Sequence, residues 1–130
     1  MNKSLLLVAT IMLTVALSGC GAGYAGLRSE NRANLMKLDL GMTKEQVLKA
    51  MGDKSFGEVS NPFKREVIPG KGGETYDVLY YYTEYIDYAA GKDWESGVTP
   101  IVLKEGKVVG WGWKYLDDAD IRKTITIKRK

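Results

Sequence analysis

Few side chains in this chain are able to do chemistry. Its 130 residues include no histidine and one cysteine, Cys20. Histidine-based triads and histidine metal sites are thereby excluded, and a single thiol is left to serve as nucleophile or ligand. The other reactive groups of note are carboxylates, with Glu84, Asp87, Asp93 and Glu95 in one polar stretch. A carboxylate pair can act as general acid and base, and an oxygen-rich loop can hold calcium. Their spacing matches no calcium loop, however, and charges in a Gly-containing surface loop are ordinarily just solvated. No metal or cofactor is expected, and the chain reads as a protein that is not an enzyme.

Cys20 has a more specific context. Residues 5–17 are almost wholly apolar, Lys3 supplies a positive charge before them, and Leu17-Ser18-Gly19-Cys20 closes the segment. The run falls short of the ~20 residues that a membrane-spanning helix needs, so residues 1–19 read as a signal peptide. Its last four residues resemble the bacterial lipobox. That resemblance implies cleavage before Cys20, a diacylglyceryl thioether on its sulfur, and acylation of the new amine with a palmitate-type chain. Three acyl chains at ~0.8 kcal/mol per buried methylene anchor far more firmly than stable attachment requires. Gly21 follows the cysteine where Asp would signal retention, and by resemblance to the bacterial sorting rule this implies the outer membrane, with the protein facing the periplasm. An acylated Cys20 leaves no disulfide to hold the domain, although the compartment permits one. The net charge of +3 is too balanced to suggest nucleic acid as a partner.

The elements that must carry any site follow from periodicity. Residues 20–28, the lipidated cysteine with GAGYAG and two more, read as a flexible tether reaching on the order of 15 Å. The folded domain is expected over 29–116, and 117–130 is a charged C-terminal segment, either an edge strand or a tail. A first helix is predicted over 30–38, with Leu35, Met36 and Leu38 as its apolar stripe and Asn31, Arg32, Asn34 and Lys37 facing water. The strongest local signal is at 40–52, LGMTKEQVLKAMG. Thr43 and Gln46 form a capping box, Met42 and Val47 a hydrophobic staple, and Gly52 a left-handed stop. This second helix has about two turns, below the ~12–15 residues needed to stand alone, so Val47, Leu48 and Met51 must dock on something.

Beyond Gly52 the period becomes strand-like. Residues 53–62 read as irregular, 63–68 as a short strand, and PGKGG at 69–73 as a turn. The run TYDVLYYYT at 75–83 is the most β-prone of the chain, with Tyr76, Val78, Tyr80 and Tyr82 on one face and Asp77, Leu79, Tyr81 and Thr83 on the other. A polar loop over 84–97 precedes a strand at 99–104, where Pro100 is tolerable only at the start or on an edge. Glu105-Gly106 then makes a hairpin into a strand at 107–115, lined on one face by Val109, Trp111, Trp113 and Tyr115. Gly110 and Gly112 bare the opposite face, for a close helix or a bulge. The expected class is α+β, with two N-terminal helices packed on one face of a three- to four-stranded antiparallel sheet.

A lipobox, a tether, two helices of which the second opens with Leu-Gly-Met-Thr-Lys-Glu-Gln-Val and ends at Gly, a tyrosine-rich strand and a hairpin ending in Gly-Trp resemble the SmpA/OmlA (BamE-like) outer-membrane lipoproteins. Asp53-Lys54 stands where that family usually has Pro, and Gly26 to Asn31 replaces an Asp-Ile-x-Gln-Gly-Asn-like segment, so the resemblance is to a divergent relative. It implies a two-helix, three-stranded, non-catalytic domain that supports protein partners and lipid at the inner leaflet of the outer membrane. The positions that carry over are Cys20 and the scaffold residues Gly41, Met42, Thr43 and Gly52, beside the capping residue Gln46.

Two further surfaces can be named. Rings facing away from the helices, Tyr81 among them, together with Tyr85, Tyr88 and Trp94, would form a flat surface for an envelope protein, since Tyr and Trp are enriched at interaction hot spots. Arg122, Lys123, Lys128, Arg129 and Lys130 would contact anionic lipid, each basic residue near the surface contributing ~1 kcal/mol. The expected function is thus a binding or assembly-accessory module held at the outer membrane. The alternative is a periplasmic inhibitor or ligand-binding domain, since such small domains also resemble β-lactamase-inhibitor-type folds, which act through an exposed sheet.

Overall fold

The computed structural model of the chain describes residues 23–119 and residue 121. Two helices, α1 (Tyr24–Leu35) and α2 (Lys44–Met51), are followed by a two-stranded ribbon, β1 (Ser55–Phe56) with β2 (Val59–Ser60). A four-stranded antiparallel sheet then runs in the order β3 (Lys64–Pro69), β4 (Thr75–Tyr82), β5 (Val98–Lys104), β6 (Lys107–Trp111), and a short helix, α3 (Trp113–Asp118), ends the described chain. The architecture is α+β, as the sequence implies.

Alternation along β4 divides the protein into two cores. Leu79 and Tyr81 join Ile101, Leu103 and Val108 beneath Val47 and Met51 of α2. Val78 and Tyr80 face the other way, onto Val98 and Val102, where Leu116 of α3 and Ile121 cover them. The sheet is therefore buried on both faces. The two-helix layer covers only one of them, and α3 supplies the second roof.

The capping box of α2 forms as expected. Gln46 N–H donates to Thr43 Oγ1 at 3.2 Å, and Thr43 N–H donates to Gln46 Oε1 at 2.9 Å. Gly52 ends the helix at φ 73°. Val47 and Met51 dock, while Leu48 remains exposed. The approach to α2 is itself stitched to the sheet: Gly41 N–H bonds Val108 O, Val108 N–H bonds Met42 O, and Lys44 N–H bonds Gly106 O. The β6 edge is thus covered.

The first helix differs from the sequence reading. It begins at Tyr24, inside the stretch read as tether, and ends at Leu35. Asn31 and Asn34 are buried rather than facing water, and Met36 is exposed. Hydrogen bonds make this burial tolerable. Asn31 Nδ2 donates to Tyr82 O at 2.8 Å and to Asn61 Oδ1 at 2.9 Å, Asn61 Nδ2 returns a bond to Asn31 Oδ1 at 2.7 Å, and Asn34 Nδ2 donates to Met51 O at 3.3 Å. An inner face built on amides carries little hydrophobic periodicity.

At the other end the strand predicted over 107–115 stops at Trp111, and Trp113 and Tyr115 belong to α3. The pairing shifts between Val102 and Leu103, which face Gly110 and Val108, so Val109 is the extra residue of a bulge. Trp111 pairs with Ile101 and leaves the face of Val109. Pro100 lies in an inner strand, yet its carbonyl accepts from Gly112 N–H just past the end of β6, so its missing donor points where the ladder has already run out.

Gly110 is the close approach between sheet and helix. A Cβ built there would lie 2.5 Å from the ring of Tyr115. Gly110→Ala is expected to cost about 1–3 kcal/mol by forcing α3 outward, read as a lower urea midpoint with weakened near-ultraviolet dichroism. An unchanged midpoint would mean that α3 is not packed as described.

On the helix side Asp77 accepts from Lys44 Nζ at 2.9 Å and from Arg65 Nε and Nη2 at 2.9 Å each. Burial alone would push its carboxyl up, but the hydrogen bonds and charges of Arg65 and Lys44 outweigh burial and hold it below the usual carboxylate range. A depressed carboxyl contributes stability that is present above its unfolded-state value and lost as pH falls through the folded one. Asp77→Asn should therefore cost about 1 kcal/mol at pH 7, and urea titrations of the two proteins should converge as the medium is made acidic enough to protonate the folded carboxyl.

Candidate functional site

The end of β4 opens into the segment between β4 and β5. Thr83 N–H and Glu84 N–H both donate to Gly97 O, at 2.8 and 3.0 Å, and Thr83 Oγ1 lies 2.7 Å from Thr99 Oγ1. These contacts close the neck of the loop. Ile86 tucks under it against Leu27 and Tyr82, and a Cβ at Gly97 would collide with its side chain. Asp87 accepts from Ala90 N–H and caps a 3-10 turn at Tyr88–Ala90, while Asp93 accepts from Glu95 N–H and caps another at Trp94–Gly97. Two of the four carboxylates that could have formed an acid/base or calcium site are thus turn caps. Among the described residues no group of three or more His, Cys, Asp or Glu side chains is placed to hold a metal ion.

The structure separates the four rings predicted as a partner surface. Tyr81 is 0% exposed, under the helices rather than away from them. Trp94 is half-buried: it stacks on Phe63 at 6.2 Å, meets Tyr80 edge-on at 5.2 Å, and carries Lys64 Nζ 4.3 Å from its ring centroid. It roofs the second core and is no free surface. Tyr85 and Tyr88 alone remain open, at 69% and 66% exposure.

Two further rings join these. Tyr24, in the first turn of α1, and Phe56, at the tip of β1, meet edge-on at 4.7 Å, with the Tyr24 hydroxyl over Gly57. Tyr24, Val59, Phe63, Tyr82, Tyr85, Ile86 and Tyr88, with Glu58, line a groove of about 530 Å³. Arg28 braces its floor, donating to Tyr82 Oη at 2.9 Å with its guanidinium 5.4 Å and 5.9 Å from the ring centroids of Tyr82 and Tyr85. Such a groove is suited to apolar and amphipathic contact, with hydroxyls at its rim. Tyr24 was hidden because it lies among small residues that look like linker, and only the fold brings residues 24, 56 and 85–88 together.

Of the scaffold positions, Gly41 and Met42 tie the approach to α2 to the sheet, Thr43 and Gln46 cap it, and Gly52 ends it at φ 73° and ψ 173°, outside the left-handed helical conformation expected there. Cys20 and the basic residues Arg122, Lys123, Lys128, Arg129 and Lys130 lie outside the described residues.

Fold and groove together define a small α+β domain with two N-terminal helices on an antiparallel sheet and a tyrosine-rimmed groove at one end. Residues 22–118 match the model of a family described as "protein of unknown function (DUF3192)", and the chain belongs to that family. No curated protein and no solved structure matches the chain.

Tyr81 carries a consequence of its own. Its buried hydroxyl has no hydrogen-bond partner, and burial pushes its phenol up to about 12. A group raised by folding contributes stability that is full below its unfolded value of about 10 and is lost as pH rises through the folded one. Tyr81→Phe discards an unsatisfied polar atom and should be at least as stable as the parent at pH 8. It should also lose less stability than the parent between pH 8 and pH 11. Tyr80→Phe, which removes a 2.9 Å bond to Glu66, should instead be destabilising in the same urea titrations.

Proposed function

We propose that this protein is an outer-membrane-anchored, periplasm-facing lipoprotein that works as a non-catalytic binding and assembly-accessory module, in the manner of the SmpA/OmlA (BamE-like) lipoproteins it resembles. The observation that carries the reading is the position of the groove. Its exposed tyrosines flank the first turn of α1, and that turn begins four residues after the cysteine of a lipobox. A binding surface and a lipid attachment point at the same end of a small domain suit a module that works at a membrane. The alternative, a periplasmic inhibitor or ligand-binding domain acting through an exposed sheet, is less favoured because helices cover much of both faces of this sheet.

Two measurements test the reading. Radiolabelled palmitate should enter the parent and not Cys20→Ala, and the variant should move from the outer-membrane fraction to the soluble periplasm. Crosslinking in intact cells followed by mass spectrometry should recover envelope-assembly proteins. A Cys20→Ala protein that stays in the membrane fraction contradicts the anchor, and recovery of a single hydrolase contradicts the accessory role.

A further inference from the structure

Four of the five exposed aromatic side chains among the described residues, Tyr24, Phe56, Tyr85 and Tyr88, gather around the N-terminal half of α1, and Trp111 lies apart on the β6 edge. The chain before that helix is short. Three residues separate Cys20 from Tyr24, and the four residue-to-residue steps between them span at most about 14 Å even when fully extended. An acylated sulfur must lie within the bilayer boundary, so the groove end of the domain cannot stand far from the headgroups. The opposite end can. The β3–β4 turn at Gly70–Gly73 and the β5–β6 turn at Glu105–Gly106 lie at the far end of the sheet, roughly 23 Å away by the rise of the eight-residue β4.

From this placement we infer that the groove face is seated on the bilayer itself, with the rings of Tyr24, Phe56, Tyr85 and Tyr88 at the level of the lipid headgroups and the two hairpin turns pointing away from the membrane. The inference rests on the lipoprotein reading and names the partner of the same groove. Tyrosine is suited to that depth because its ring is apolar and its hydroxyl keeps a polar partner. The charges flanking the groove are mixed, Arg28 and Arg32 against Glu58, Glu84 and Asp87. The seating therefore runs through the rings and not through attraction to anionic lipid, and it should withstand salt. Any protein partner then meets the surfaces left facing the periplasm.

Cys20 is the sole cysteine of the chain, and acylation blocks its thiol, so one introduced cysteine can be spin-labelled cleanly. The full acylated protein, bearing Tyr88→Cys, Tyr85→Cys or, at the distal turn, Lys71→Cys, is reconstituted in vesicles of phosphatidylethanolamine with a minor share of phosphatidylglycerol. Labels at 85 and 88 should collide several-fold less with a water-soluble nickel relaxer, relative to oxygen, than the label at 71, equally at low and high salt. Acylated protein whose labels at 85 and 88 are as open to the relaxer as that at 71 overturns the seating and leaves the anchor intact. Protection that vanishes at high salt overturns the role of the rings. Absence of the acyl mass from Cys20 overturns the anchor and the seating with it. In cells, a photo-crosslinking residue at position 88 should capture phospholipid, and capture of a protein there instead overturns the inference.

Discussion

Everything in this protein is attached to β4. It is an inner strand of the sheet, paired on both sides and buried on both faces, so one run of eight residues contributes to both cores at once. Leu79 and Tyr81 support α2, Val78 and Tyr80 support α3, and the carbonyls of Tyr82 and Thr83 at its end accept from Asn31 and Arg32 of α1. A shift of one residue in its register would exchange the two faces and strand every one of these contacts. Strand pairing, helix docking and loop placement are thus consequences of one alternation.

Polar groups bind the helical layer to this strand as much as apolar ones do. Asn31, fully buried, exchanges hydrogen bonds with Asn61 and holds a β4 carbonyl, while Asp77 draws Lys44 of α2 and Arg65 of β3 to one carboxylate. Buried amides of this kind are costly unless every donor is met, and here they specify where α1 lies on the sheet instead of merely adding adhesion. The position of α1 in turn brings Tyr24 to the rings of the loop beyond β4.

The groove follows from those constraints. Because Trp94 and Phe63 are drawn over the second core and Tyr81 lies under the first, the rings left for contact are those around the first turn of α1. That surface lies beside Gly23, where the described chain begins.

Much of the fold was legible in order. The capping box of Thr43 and Gln46, the Glu105-Gly106 turn, with φ 52° and 77°, and the alternation of β4 are local, short-range chemistry and can be read residue by residue. The start of α1, the bulge at Val109, the turn of Trp113 and Tyr115 into a helix, and the burial of Tyr81 were decided by packing. Asn31 and Asn34 look solvent-facing until Asn61 and the carbonyls of Tyr82 and Met51 are placed beside them. Likewise Tyr81 and Tyr85 are alike as residues and opposite in fate. The difference is which face of β4 the helices cover and where the strand ends, and neither is written in the side chain. The sequence by itself determined the α+β class, the second helix with its caps and the central strand. The tertiary structure alone decided which rings stay exposed and that they meet at one end, because burial depends on partners distant in sequence.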